Sequence, residues 1–125
     1  MEQVSKKALW TGRVFSALGA LPFVASGIMK ITAGAEMTKG MEHFGWPAQM
    51  IPVLAALELL SVIIYLIPKT AVLGGIILTG YLGGAIATHL RLGESVALHV
   101  VFGILIWGGL YLRETRLRSL IPLRK

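Results

Sequence analysis

The sequence contains no cysteine among its 125 residues. That absence excludes a disulfide framework, a thiol redox pair and a thiolate metal site. Charge is scarce as well. Only 14% of residues are charged, whereas about a quarter is usual in a soluble domain. Six acidic residues stand against twelve lysines and arginines, a formal net charge of +6. In a soluble protein that excess would point to nucleic acid. Here the basic residues flank apolar runs, which is how membrane topology is set, so the expected partner is the lipid bilayer and no nucleic acid. No repeat and no low-complexity segment breaks the chain, and its length leaves room for one domain.

What is present is apolar. Hydrophobic residues make up 55% of the chain, and the mean hydropathy is +0.75. Four runs predict membrane-spanning helices at about residues 9–30, 48–67, 70–90 and 96–112. The rival reading of the first run is a signal peptide, with Ala33-Gly34-Ala35 as a small-residue cleavage site. The run from Leu9 to Met29 is longer than the ~7–15 apolar residues of such a leader, so a span is expected. The link Pro68-Lys69-Thr70 is so short that the second and third spans must form an antiparallel hairpin. The expected fold is all-α: an integral membrane antiparallel four-helix bundle, one transmembrane domain over residues 1–125. Residues 31–47 form the longest polar connection, and Met37, Met41 and Phe44 have the spacing of a short amphipathic helix on the membrane surface, expected over the outer end of the bundle as a cover for any pocket there. The basic tail, 113–125, carries interspersed leucines and is expected along the headgroups.

Charge predicts the orientation. Lys6, Lys7, Arg13, Lys69, Arg113, Arg116, Arg118, Arg124 and Lys125 lie on the side of the termini; Lys30, Lys39 and Arg91 lie on the other. This bias predicts a multi-pass protein of the cell (inner) membrane with both termini cytoplasmic.

Against this apolar background a few polar groups need explaining. Glu58 lies near the middle of the second span. A carboxylate there costs a few kcal/mol, so it should face the interior beside a partner. At ~1.5 Å per residue it sits ~9 Å below Pro52. Lys30 closes the first span, His89 the third, and His99 opens the fourth, so each helix offers one ionisable group to the outer half of the bundle. Gly12, Ser16, Gly19, Phe23, Ser26 and Lys30 share one face of the first helix, which points Lys30 inward. Ser26 and Thr88 add hydroxyls, and Tyr81 shares a stripe with His89. Two histidines and a carboxylate suffice for a metal site. Their spacing is not specific to metal and Lys30 opposes a cation, so no metal is assigned. The glycines of Thr70 to Arg91, with Gly80 and Gly84 as a G-x-x-x-G pair, are expected to pack on the first or second helix. Arg91 is expected to pair with Glu94 or a headgroup, His43 to be solvated, and Trp107 to serve in aromatic packing.

These segments resemble a known family. Ser26-Gly27 with Lys30, Phe44 to Pro47 (FGWP), Leu57 to Leu59 (LEL), Tyr65 to Gly74 (YLIPKTAVLG), Thr79 to His89 (TGYLGGAIATH) and Trp107 to Arg113 (WGGLYLR) together are similar to the DoxX-like membrane proteins. The resemblance implies a four-helix membrane bundle. It also implies an association with redox chemistry, since the family takes its name from a subunit of a thiosulfate–quinone oxidoreductase. The absence of cysteine bars any thiol chemistry from being carried over.

The reading that follows is a pocket for a small lipophilic ligand with a polar head, quinone-like or similar. Glu58 and His89 would be the catalytic pair, holding or protonating the head; Lys30, His99, Ser26, Thr88 and Tyr81 would bind it. Proton transfer is what this set can do unaided. Redox chemistry would need a bound cofactor, a quinone among the candidates, or a partner membrane subunit. Two other classes fit the same residues: a small proton-coupled transporter or channel working as a homo-oligomer, and a structural or accessory subunit whose polar cluster only fixes packing.

Overall fold

The computed structural model describes residues 4–124; Lys125, counted in the basic tail, lies outside them. Helix α1 covers Lys6–Thr32. It starts earlier than the apolar run because Ser5 caps it, its hydroxyl accepting from the Ala8 amide at 3.1 Å. Helix α2 is Gly34–His43, within the predicted amphipathic connection. A 3-10 turn, Ala48–Met50, leads into α3, Ile51–Leu66. Pro52 sits in its first turn, where the missing N–H leaves no bond unmade. A second 3-10 turn, Pro68–Thr70, makes the hairpin into α4, Ala71–Arg91. Helix α5 is Ala97–Arg113, and the short α6 is Thr115–Arg118. Three of these helices are long and apolar enough to cross a membrane. Helix α5, with 17 residues, is about 25 Å long at the standard rise and packs with them as the fourth member.

The described residues are helical with no strand, and the packing runs α1–α3–α4–α5 around a ring, closed by α5 against α1. All four long helices contribute to the common core: Ala20 and Phe23 from α1, Val62 and Tyr65 from α3, Ala71, Leu78 and Leu82 from α4, and Ile106 and Leu110 from α5. Large apolar side chains also cover the outside, among them Leu21, Leu60, Ile63, Ile76 and Ile104. Helices apolar all round belong in lipid, so this is a multi-pass membrane bundle.

Glycine decides which helices touch. A Cβ on Gly12 would lie 2.6 Å from the Arg113 side chain and 2.8 Å from the Gly109 carbonyl, and one on Gly19 would lie 3.0 Å from Ile106. The α1–α5 seam is therefore closely packed. On α4 the tight positions are Gly74, against the backbone of Tyr65, and Gly75, against Leu110. The G-x-x-x-G pair does not pack as expected. A Cβ on Gly80 or Gly84 would meet nothing within 4 Å, and both glycines are exposed. The motif is a spacing of small residues. It becomes a packing face only where a neighbouring helix reaches it, and none comes within 4 Å of a Cβ at these two positions.

A polar latch fastens the end of the bundle that holds the termini. The Tyr65 hydroxyl bonds to the Ile106 carbonyl at 2.7 Å and to the Ser16 hydroxyl at 2.8 Å; Ser16 also accepts from Arg113 Nη2 at 2.9 Å. The latch joins α3, α5 and α1, and Tyr65 is 1% exposed. Tyr65→Phe would remove the hydroxyl that ties α3 to α1 and α5, while the Ile106 carbonyl keeps its helical bond. Its expected cost is about 0.5–1.5 kcal/mol, read as a lower melting temperature in detergent. The tail does not simply lie on the surface at its start. Arg118 donates to the carbonyls of Tyr111 and Leu112, both at 2.7 Å, and Leu117 is buried against the core.

Candidate functional site

At the opposite end the helices part around a cavity. Its chemistry starts from α1 and α3. Lys30 lies one turn above Ser26 on the buried seam of α1, and its ammonium donates to the Ser26 hydroxyl at 2.6 Å. The same ammonium pairs with Glu58 Oε1 at 3.0 Å, the two side chains being 10% and 3% exposed. Glu58 faces inward because it shares the buried face of α3 with Ala55, Ser61, Val62 and Tyr65. An unpaired carboxylate at this depth would be costly, and the lysine offsets that cost. Tyr81 of α4 stands beside Glu58, and Phe23 meets the rings of Tyr81 and Phe102 edge-on, each with centroids 6.3 Å apart.

Helices α4 and α5 bring two imidazoles together. The His89 and His99 ring centroids are 4.3 Å apart, and Phe44 lies on His89 at 4.7 Å. His89 Nδ1 is 2.7 Å from the Ala85 carbonyl. A carbonyl can only accept, so Nδ1 carries the proton and the neutral ring keeps its lone pair on Nε2. His99 Nδ1 is buried with no hydrogen-bond partner. Such an orphan costs on the order of 1–3 kcal/mol, a cost that a hydrogen-bonding ligand would remove. The Thr88 hydroxyl donates to the Gly84 carbonyl at 2.8 Å and keeps acceptor capacity.

The cavity between these groups has a volume of about 480 Å³, within the range of small-molecule sites. Ser26, Lys30, Glu58, Tyr81, Thr88, His89 and His99, the seven residues singled out in the sequence, all line it. Its body is apolar, with Phe23, Leu54, Leu82, Ala85 and Phe102. Sequence reasoning did not assign Leu54 or Phe102. The only signal for Phe102 is its spacing, one turn beyond His99 on α5. Met37, Met41, Phe44 and Trp46 line the top, so the apolar face of α2 lies over the cavity as the expected cover.

Two contacts hold that cover, and both differ from expectation. Arg91 donates to the Phe44 carbonyl instead of pairing with Glu94. Glu94 is bonded to His43 at 3.2 Å, so His43, though 60% exposed, has a protein partner. The chain reverses direction between Arg91 and Glu94, which turns the arginine toward the α2 connection. Trp107 does not line the cavity; its indole donates to Thr79 at 2.7 Å, as ordinary packing requires. Among the described residues no three His, Asp or Glu side chains gather as a metal-binding set. Glu58 is occupied by Lys30, and the cation that the histidines would need has no third ligand.

This arrangement can bind a molecule with an apolar body and a polar end that both donates and accepts. It can also hold or move a proton between a carboxylate, an ammonium and two imidazoles. Comparison with curated proteins gives no match, and comparison with solved structures gives none. The sequence model of the DoxX-like family matches residues 14–109, a span that includes every one of the seven cavity residues above. By this match, and as a multi-pass helical membrane bundle, the chain belongs to the DoxX-like family.

Proposed function

We propose that this protein binds a small lipophilic molecule with a polar head, quinone-like in character, at the Lys30–Glu58 end of its cavity. One observation carries the reading: an apolar cavity of about 480 Å³ lined by seven polar side chains drawn from all four long helices. Sites of this kind bury the ligand's apolar surface and use a few placed polar groups to fix its orientation. A ring carbonyl of the head accepts from Lys30 or Tyr81. A ring hydroxyl donates to Glu58, to His89 Nε2 or to the orphan His99 Nδ1. Ser26 and Thr88 complete the shell. Glu58 and His89 are the groups through which a proton would pass on or off the head. Electron transfer would need a further cofactor or a partner membrane subunit. The distribution of Lys and Arg supports a cell-membrane orientation with the termini in the cytoplasm and the α2 end outside.

Native mass spectrometry of the purified protein with a panel of quinones and neutral lipophiles tests this. Wild type is expected to retain a quinone as a discrete adduct, and Lys30→Met/Glu58→Gln and His99→Ala to retain markedly less while staying folded. Equal retention by all three proteins, or none by wild type, would show that the polar cluster serves packing alone.

A further inference from the structure

The cavity has a side opening. Helices α3 and α4 are pressed together at the hairpin, where Gly74 lies against the Tyr65 backbone. One and two heptads further on, Tyr81 and Thr88 occupy the same face of α4, and there both line the cavity. At this level Tyr81 still stands beside Glu58 of α3, but no neighbouring atom lies within 4 Å of a Cβ built on Gly80 or Gly84. These two glycines also line the cavity, yet both are exposed. A residue that lines a cavity and is exposed on the outside marks its rim. These two stand near the middle of a 21-residue apolar helix, so the rim opens to lipid. The top, by contrast, is covered by Met37, Met41 and Phe44.

We propose that the ligand enters sideways from the bilayer between α3 and α4, and that when bound its apolar tail runs out over Gly80 and Gly84 into lipid. This rests on the binding reading above and narrows its ligand class to long-tailed amphiphiles. The cavity need only hold the head and the first part of the tail. The remainder crosses a rim that has no side chains. Gly83, exposed on the same helix but not lining the cavity, provides an internal control.

The experiment is a fluorescence titration in lipid nanodiscs. Trp46 lines the cavity, and the difference from a Trp46→Phe protein isolates its signal. The quenchers are a dimethoxy-methyl-benzoquinone without a tail and the same ring bearing a decyl tail. Wild type is expected to bind both. Gly80→Leu and Gly84→Leu are expected to weaken the decyl quinone by at least about tenfold, a change well within what one blocked contact can do, while binding of the tail-less ring is unchanged. Gly83→Leu is expected to bind both as wild type does. Unchanged decyl affinity in Gly80→Leu and Gly84→Leu overturns the side opening. Equal weakening of both quinones overturns it too, since the cavity itself would then be damaged. A change of oligomeric state in Gly84→Leu with ligand affinity intact would mean that a second copy covers these glycines. Failure of wild type to bind either quinone is a separate signature, which removes the binding reading and this inference together.

Discussion

Lys30→Met is expected to destabilise the protein by about 3–5 kcal/mol, because it leaves a buried carboxylate without its cation. Glu58 is 3% exposed on its side chain, and among the described residues Lys30 Nζ at 3.0 Å is its ion-pair partner. Methionine keeps most of the lysine stem, so packing changes little and the effect reads the charge. The double variant Lys30→Met/Glu58→Gln is expected to return close to wild-type stability, since replacing both members of a buried pair is nearly neutral where removing one is not. Thermal unfolding in a single detergent compares the three proteins. The double variant then separates two roles. If the pair serves binding, the protein melts normally and still fails to retain ligand. If it serves only packing, stability and ligand retention recover together. A single variant as stable as wild type would mean that Glu58 does not depend on Lys30.

The second large effect concerns glycine. Gly74→Ala is expected to cost about 3 kcal/mol or more, the upper part of the range for overpacking, and Gly74→Leu to yield no folded protein. The new Cβ meets the backbone of Tyr65, which cannot rotate away as a side chain can. Moving it would pull Tyr65 from Ser16 and Ile106 and open the latch at that end. Gly80→Ala, only six residues along, is expected to stabilise the helix by about 0.5–1 kcal/mol, since its Cβ meets nothing within 4 Å. Melting temperatures of the two alanine variants, moving in opposite directions, check this contrast. Shifts of the same sign and size would contradict the placement of α4 against α3.

The contrast also shows what could be seen from the amino-acid sequence. The spans were legible because apolar runs of this length have few alternatives, and the four ionisable groups because each breaks such a run. The inward face of α1 followed from spacing, which brought Ser26 and Lys30 toward Glu58. Gly80 and Gly84 were misread because a spacing of small residues does not reveal whether a helix stands opposite. That depends on which stretch of α4 a neighbouring helix covers in three dimensions. The Tyr65–Ser16–Arg113 latch went unseen for a related reason. Its three members are far apart in the chain, and each alone looks like an ordinary interfacial residue. The partner of Arg91 was missed because Glu94 is near in sequence while the Phe44 carbonyl is near only in space. Of the seven cavity residues, Lys30, His89 and His99 were found from helix-end position and antiparallel order, Glu58 as a charge inside a span, and Ser26, Thr88 and Tyr81 from their spacing beside these. Leu54 and Phe102 are apolar residues on apolar helices, and nothing local distinguishes them.

The central claim is that a lipophilic molecule occupies the interior of the bundle with its polar head beside Lys30 and Glu58. Photo-crosslinking tests it most directly. A quinone bearing a diazirine close to its ring would be irradiated with the protein in nanodiscs, and the labelled residues mapped by peptide mass spectrometry. The prediction is labelling of Leu54, Tyr81, Ala85 and Phe102, which line the cavity, competed away by unlabelled quinone and lost in Glu58→Gln. Labelling confined to lipid-facing residues such as Leu60, Ile63 and Ile76, without competition, would contradict it.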